Sequence, residues 1–346
     1  MRESEPWRTC YVAPPVDALQ DAIGVTRVAR VTGLDRSGVE VACAVRPLGH
    51  VLQVSNGKGE TWEEARASAL SEAAELWAAE RPRDLVYGAA RDLPDAWEPR
   101  DLIAPRLWSA TTRIAWRSAR DLFTGRAVLV PAQAVYCPPR GGPPLGPAAI
   151  RWSTNGMGAH PARSAALRHA LLESIERDQL ARTLPRGWTA PVIARRKLDV
   201  RGVPLWQRLR DARLEAHVFD LSGVLPVAGA ILIDLEEGPV PVAAGYACAL
   251  RPLDAVRGAM LEAAQSRLTD VHGAREDVTP ADRPSMRALR LACERARSRR
   301  SLRSMPSARD PREGLRGRRV AVVELAREPL TVIKVFAPGL RLSGLL

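Results

Sequence analysis

The chain has 346 residues, 46% hydrophobic and 26% charged, with 25 glycines and 28 prolines. That ordinary balance supports a sizeable core and excludes collagen-like and low-complexity architectures. No apolar run approaches the roughly 18 residues of a membrane span. The charged start from Met1 to Trp7 has no apolar stretch behind it, so a cytoplasmic protein without a membrane partner is expected.

In chain order, alternating strand-like and helix-like periods predict a mixed α/β (α+β) fold in one composite domain over 1–346. Strands are expected at 39–45 and 52–54, followed by a helix at 61–80. Residues 127–136 read as a strand that runs into a proline- and glycine-rich loop, 138–147. A second long helix is expected at 161–180, with Pro161 suited to its first turn. A shorter helix at 205–214 precedes strands at 215–221 and 227–235, and a third long helix covers 253–271. Strands at 320–325 and 330–336 close the pattern.

Between the third long helix and these strands, residues 294–319 hold ten arginines against Glu294, Asp310 and Glu313, which supplies more than half of the formal net charge of +12. This segment reads as a loop, either simply solvated or an electrostatic docking surface for an acidic partner. No aromatic residue interleaves with the arginines, which disfavours nucleic acid. Five scattered cysteines, Cys10, Cys43, Cys137, Cys248 and Cys293, without a C-x-x-C pair, read as reduced, mostly core thiols. Only Lys58, Lys197 and Lys334 among 51 basic residues are lysines. Where arginine is used by default, a retained lysine marks a place that wants a compact point charge. Lys58, in a glycine-rich segment, is the lysine read in that way.

The three long helices repeat one stripe. Ala65, Ser68, Glu72 and Glu75 lie at spacings of three, four and three, as do Ala166, His169, Glu173 and Glu176, and Ala255, Gly258, Glu262 and Gln265. At 3.6 residues per turn each set forms a single lane. Any one E-x-x-E pair belongs most simply to a solvated helix face. Three lanes of small residues, each ending in a carboxylate pair or a carboxylate and an amide, do not. Two of them follow N-G-x-G segments, Asn56 to Gly59 and Asn155 to Gly158, which read as turns whose glycines permit positive φ and close backbone approach. Clustered carboxylates require cations, and Mg2+ takes one or two carboxylates together with substrate phosphates. Lys58 and Arg177 supply positive charge, and Asn56, Asn155 and Gln265 supply amides. The lanes therefore predict a Mg2+–triphosphate site. It is not a P-loop, since G-x-x-x-x-G-K-[ST] is absent. His169, one turn before Glu173, reads as an orienting imidazole rather than a base.

These residues resemble the YcaO family. The likeness rests on Gly57-Lys58-Gly59 leading into Ser68 to Glu75, on Ser153 to Gly158 leading into Leu171 to Asp178, and on Ala255 through Glu262 to Arg267. The flanking Thr32 to Asp35 and Asp121 to Gly125 agree, and the likeness spans about residues 25–340. It implies an ATP- and Mg2+-dependent enzyme that phosphorylates the oxygen of a peptide backbone amide. On that resemblance Glu72, Glu75, Glu173, Glu176 and Glu262 would hold metal. Lys58, Ser68, Asn155, Arg177, Gln265 and Arg267 would contact the nucleotide. Leu76 departs from the family pattern, which often has arginine there. Glu262 to Arg267, followed by Gly273 to Asp277, is similar to the branch that works with a TfuA partner protein and is associated with thioamide formation from a sulfide donor. Azoline formation by cyclodehydration is the alternative chemistry, and a non-catalytic peptide-docking scaffold is the alternative class. A substrate peptide is implied as partner, and a second copy of the chain is a further candidate. Arg275, Glu276 and Asp277 read either as an ion-paired turn or as part of the site.

Overall fold

The computed structural model describes residues 16–97, 109–138, 140–141, 144–148, 150–184, 191–193, 204–273, 286–295 and 299–341. The mixed α/β architecture holds. It contains three sheets, largely antiparallel, each with a strand at its edge that carries one of the long helices.

The first sheet is β1 (Arg27–Arg30), β2 (Glu40–Val45) and β3 (Val54–Gly59), with helix α1 (Val16–Ile23) before it and helix α2 (Trp62–Ala79) after it. Thr61 caps α2 by accepting from the Glu64 amide. The second sheet begins with β4 (Leu85–Ala89), β5 (Arg113–Asp121) and β6 (Ala127–Pro131), which pairs with β5 off the main path. A single turn, α3 (Ala132–Val135), follows, then β7 (Met157–His160) and α4 (Arg163–Thr183). The third sheet holds β8 (Val192–Ile193), β9 (Leu214–Asp220), β10 (Val227–Asp234) and β11 (Val242–Cys248), with α5 (Pro204–Asp211) before β9 and α6 (Pro252–His272) after β11. Helix α7 (Met286–Arg295) leads into β12 (Arg299–Arg300), which pairs with β8. Strands β13 (Ala321–Ala326) and β14 (Thr331–Phe336) return to the second sheet, whose order is β4-β5-β13-β14-β7.

The edge strands β3, β7 and β11 form a cycle with the helices. Each long helix packs on the strand before it, α2 on β3, α4 on β7 and α6 on β11. Each also reaches the next edge strand, α2 to β7, α4 to β11 and α6 to β3. The close approach depends on glycine. A Cβ on Gly57 would lie 2.2 Å from the Ala65 carbonyl oxygen, one on Gly158 2.3 Å from the Ala166 carbonyl oxygen, and one on Gly245 2.1 Å from the Ala263 amide nitrogen. Alanines 65, 69, 166, 170, 259 and 263 are fully buried on the helix side. Apolar clusters around α2 and the second sheet, and around α6 and the third sheet, fill the space behind the helices.

Several sequence expectations are corrected. Asn56 to Gly59 is strand rather than turn, and only Gly156 of the two N-G-x-G segments takes a positive φ, +78°. The expected strand 127–136 stops at Pro131, where α3 begins. Strands β1, β4, β5, β7, β8, β11 and β12 and helices α1, α3 and α7 were not expected. The arginine-rich segment is not a plain loop. Leu302, Met305, Pro311 and Leu315 are buried, and Asp310 and Glu313 form a capping box over a short 3-10 helix. Arg319 lies over the Trp97 ring at 4.3 Å, and Arg318 donates to the Gly339 carbonyl. Cys43, Cys137, Cys248 and Cys293 form no disulfide among the described residues, in line with the expected reduced thiols, while Cys10, Arg275, Glu276, Asp277 and Arg297 lie outside the described residues. Among the described residues no helix is long and apolar enough to cross a membrane.

Candidate functional site

The cyclic packing brings the lanes of α2, α4 and α6 together, because each lane is the face of its helix turned toward the edge strands. Backbone amides of those strands then hold the carboxylates. Glu173 Oε2 accepts from the Gly156 and Met157 amides at 2.9 and 3.1 Å. Glu176 Oε2 accepts from the Cys248 amide at 2.9 Å, and Glu262 Oε1 from the Tyr246 amide at 3.4 Å. Glu75 accepts from the Ala159 backbone. The fourth lane position is thus tied to the neighbouring unit's strand each time. Glu75 of α2 reaches β7 and Glu176 of α4 reaches β11. Gln265 of α6 donates to the Asn56 carbonyl of β3 at 3.0 Å.

The charges confirm that the lanes share one space. Burial pushes the Glu75 carboxyl well above its ordinary range, and the negative charges of Glu173 and Glu72 push it further. Burial also raises Glu176, to about 7, with Glu262 adding to the shift. Glu262 goes the other way. Burial would raise it, but the Lys58 ammonium and the Arg177 guanidinium outweigh that and hold it low. Lys58 Nζ donates to Glu262 Oε2 at 2.7 Å. Arg177 stands 3.8 Å from both Glu173 and Glu176, and its Nε is buried without a hydrogen-bond partner. His169 is pushed down by burial, so its imidazole is neutral near pH 7. The side chains of Lys58, Glu262, Arg177 and Glu173 nonetheless keep between 21% and 28% of their surface open. They line a recess rather than a sealed core.

All five expected carboxylates therefore belong to one electrostatic cluster, joined by Lys58 and Arg177. Ser68 is half-buried one turn before Glu72 on the same lane, and Asn155 lies in the loop that precedes β7. Arg267 does not join them. Its side chain is 3% exposed, and its three nitrogens are engaged by Asp35, Asp234 and the Val240 carbonyl. The expectation that Arg267 contacts nucleotide is replaced by that of a buried tie between α6 and the third sheet. A residue not anticipated at the site is Lys334 of β14. It is buried and pushed down to about 8 by that burial, against the charges of Glu173 and Glu75. The scarcity of lysine was the signal that could have found it. Asn56 was expected to offer its amide to a ligand. Instead that amide donates to Thr269 at 3.1 Å and accepts from Cys43 at 2.9 Å, in a buried network behind the lane.

Among the described residues no three carboxylate, histidine or cysteine side chains converge as a preformed metal cage. The donor set still suits magnesium bound with phosphates, since that ion draws few ligands from protein and the rest from nucleotide and water. Glu75 and Glu176, raised by burial first and by neighbouring carboxylates after it, and an unpartnered buried guanidinium nitrogen on Arg177 fit a polyanion with its cations.

The sheet-and-helix cycle closes around a carboxylate recess, and comparison with known proteins gives the family. Residues 56–341 match the model described as YcaO cyclodehydratase, ATP- and Mg2+-binding. The chain belongs to the YcaO family, and its cofactors are ATP and Mg2+. It is 36% identical over 273 residues to a protein of Methanothermobacter thermautotrophicus, covering 75% of this chain and 70% of that one. It is 31% identical to a Rhizobium leguminosarum bv. trifolii protein from the tfuA 3′ region, covering 74% and 65%. The YcaO of Methanopyrus kandleri bound with AMPPCP and Mg2+ superimposes with a TM-score of 0.72 at 24% identity, covering 93% of this chain and 88% of that one. A heterocyclase in complex with substrate and cofactor gives 0.71 at 19% identity, and the chain spans 52% of its length.

Proposed function

We propose that this chain activates a peptide backbone amide by phosphorylating its oxygen with Mg–ATP, within a single composite domain in the cytoplasm. The observation that carries the reading is the meeting of Glu72, Glu75, Glu173, Glu176 and Glu262 from three helices around Lys58 and Arg177. In this reading the five carboxylates hold magnesium, and Lys58, Ser68, Asn155, Arg177 and Gln265 bind or orient the nucleotide. Bound Mg–ATP supplies the phosphoryl group that turns the amide oxygen into a leaving group. The chain's own residues position and neutralise, which is most of what phosphoryl transfer asks of a protein. Lys58 offsets Glu262 before ligand arrives and carries a charge suited to phosphate oxygens. Arg177, between Glu173 and Glu176, is placed to take phosphate in a forked contact. Neutral His169 orients the Glu173 side of the lane without supplying charge.

The product follows from the nucleophile. We assign sulfide and hence a thioamide, with a TfuA-type partner, and the relative from a tfuA 3′ region supports that choice. The family description as cyclodehydratase favours azoline formation as the second reading. A thermal melt with and without Mg–ATP tests the site. The midpoint rises for the wild type by mass action, and Glu173→Gln or Glu72→Gln diminishes the rise. No rise in the wild type indicates a non-catalytic docking scaffold. Incubation with a candidate peptide, sulfide, ATP and a TfuA-type protein tests the chemistry. A gain of about 16 Da marks oxygen replaced by sulfur after activation, and a loss of about 18 Da marks cyclodehydration.

A further inference from the structure

The structure assigns Lys334, on the last strand of the second sheet, a positioning role: it fixes the peptide planes that hold Glu173 in the magnesium site. This rests on the reading of the carboxylate cluster as a Mg–ATP site, and the role belongs to a residue outside the three helix lanes.

Lys334 Nζ donates to the Ser153 carbonyl at 2.7 Å and to the Asn155 carbonyl at 2.6 Å. Next along β14, the Val335 amide donates to the Gly156 carbonyl at 2.7 Å. Two consecutive residues of one strand therefore capture the carbonyls of residues 155 and 156. A trans peptide unit is planar, and its N–H points opposite to its C=O. The plane whose oxygen meets Lys334 is the plane whose nitrogen belongs to Gly156, and the plane whose oxygen meets Val335 carries the Met157 nitrogen. Those two amides donate to the same atom, Glu173 Oε2. Lys334 and Glu173 thus grip opposite ends of one peptide plane.

The path of the loop permits this arrangement and no bulkier one. Gly156 has φ +78°, and a Cβ there would fall 2.5 Å from the Ser174 hydroxyl and 2.9 Å from the Val335 carbonyl. Met157 then pairs directly with Lys334 in the β7–β14 ladder, so the loop cannot slip against the strand without breaking the register. A backbone amide supplied from solvent-exposed loop would do the same chemistry but would not stay aimed. The lysine is buried at 3% exposure and donates to both carbonyls at once. A neutral side chain of equal length would fill the volume and leave the carbonyls of 153 and 155 without their donor.

Lys334→Met, with Lys334→Gln beside it, is measured by calorimetric titration with Mg–ATP, varying Mg2+ at saturating ATP. The expected result is a folded protein whose half-saturating Mg2+ rises about ten- to a hundredfold, the range lost when an outer partner of a metal ligand is removed. Because Lys334 acts through Glu173, Lys334→Met combined with Glu173→Gln is expected to be no weaker than Glu173→Gln alone. Wild-type Mg2+ affinity in Lys334→Met, or losses that multiply in the double variant, overturns the assignment. Should Lys334→Met fail to fold, Lys334→Gln carries the test, since its amide can still serve one carbonyl, and a smaller rise in half-saturating Mg2+ is then required. Absence of Mg–ATP binding by the wild type would overturn the proposed function itself, whereas a binding wild type with an unaffected Lys334→Met overturns only the role of Lys334.

Discussion

Arg46 and Glu80 form a two-pronged ion pair at the end of α2 in which both side chains are about 95% buried. The Glu80 carboxylate also accepts from the His50 amide at 3.1 Å. Burial would raise this carboxyl, but the hydrogen bonds and charge of Arg46 outweigh it and hold it below its ordinary value of 4.5. An acid lowered on folding stabilises the native state at pH values above that ordinary one, and the stabilisation drains away as pH falls through the lower, folded value. Glu80→Gln leaves a buried guanidinium without its counter-charge. It is expected to cost about 3 kcal/mol at pH 7 by chemical denaturation, and to lose this part of the acid-induced decline. An equal pH profile in wild type and variant would contradict that account. At this scale the sequence was uneven. Glu72, Glu173 and Glu262 were legible because helical spacing and small flanking residues determine a lane whatever surrounds it. Arg267 and Lys334 were not, because which nearby carbonyl or carboxylate a long cation meets depends on strands far away in sequence. Arg267 lies 232 residues from Asp35, and Lys334 lies 181 from Ser153.

At the scale of elements, glycine facing helix is the recurrent device. Gly245→Ala would set a Cβ 2.1 Å from the Ala263 nitrogen and 2.6 Å from the Ala259 carbonyl, both backbone atoms that cannot rotate aside. The expected cost is about 1–3 kcal/mol in a denaturant melt, the usual range for an overfilled core. Mg–ATP affinity should fall too, since the displaced strand carries the Tyr246 amide that holds Glu262. Gly33→Ala, where a Cβ meets nothing within 4 Å, serves as the control and should stay near wild type. If both variants melted alike, close packing at β11 would not be what sets the helix. Long helices were legible to within about two or three residues at most ends. Short strands were not. Asn56 to Gly59 has local turn chemistry, yet pairing with Val41, Ala42 and Cys43 along β2 draws it into a sheet. Residues 243–247 (Ala-Ala-Gly-Tyr-Ala) offer no alternation, because a strand that must admit a helix backbone has to be built of small residues.

For the molecule as a whole, the recess belongs to no single sheet. Its walls come from β3 of the first, β7 of the second and β11 of the third. Ligand should therefore tighten all three together. Hydrogen exchange with and without Mg–ATP is expected to slow at 54–59, 157–160 and 242–248 in parallel. At a hundredfold excess over Kd the native state gains about 2.7 kcal/mol. Slowing confined to one strand would mean that the three lanes do not act on a shared ligand. The fold class and the three-lane pattern were readable in advance because both rest on periodicity. The order in which the sheets close on one another was not, since long-range pairing leaves little trace in local composition.

The clamp on the loop before β7 comes from a residue synthesised near the end of the described chain, whereas Lys58 leaves the ribosome early. A growing polypeptide thus exposes its first acidic stripe long before the strand that disciplines the second exists. On the proposed role of Lys334, full Mg2+ affinity is therefore expected only once β14 has been made.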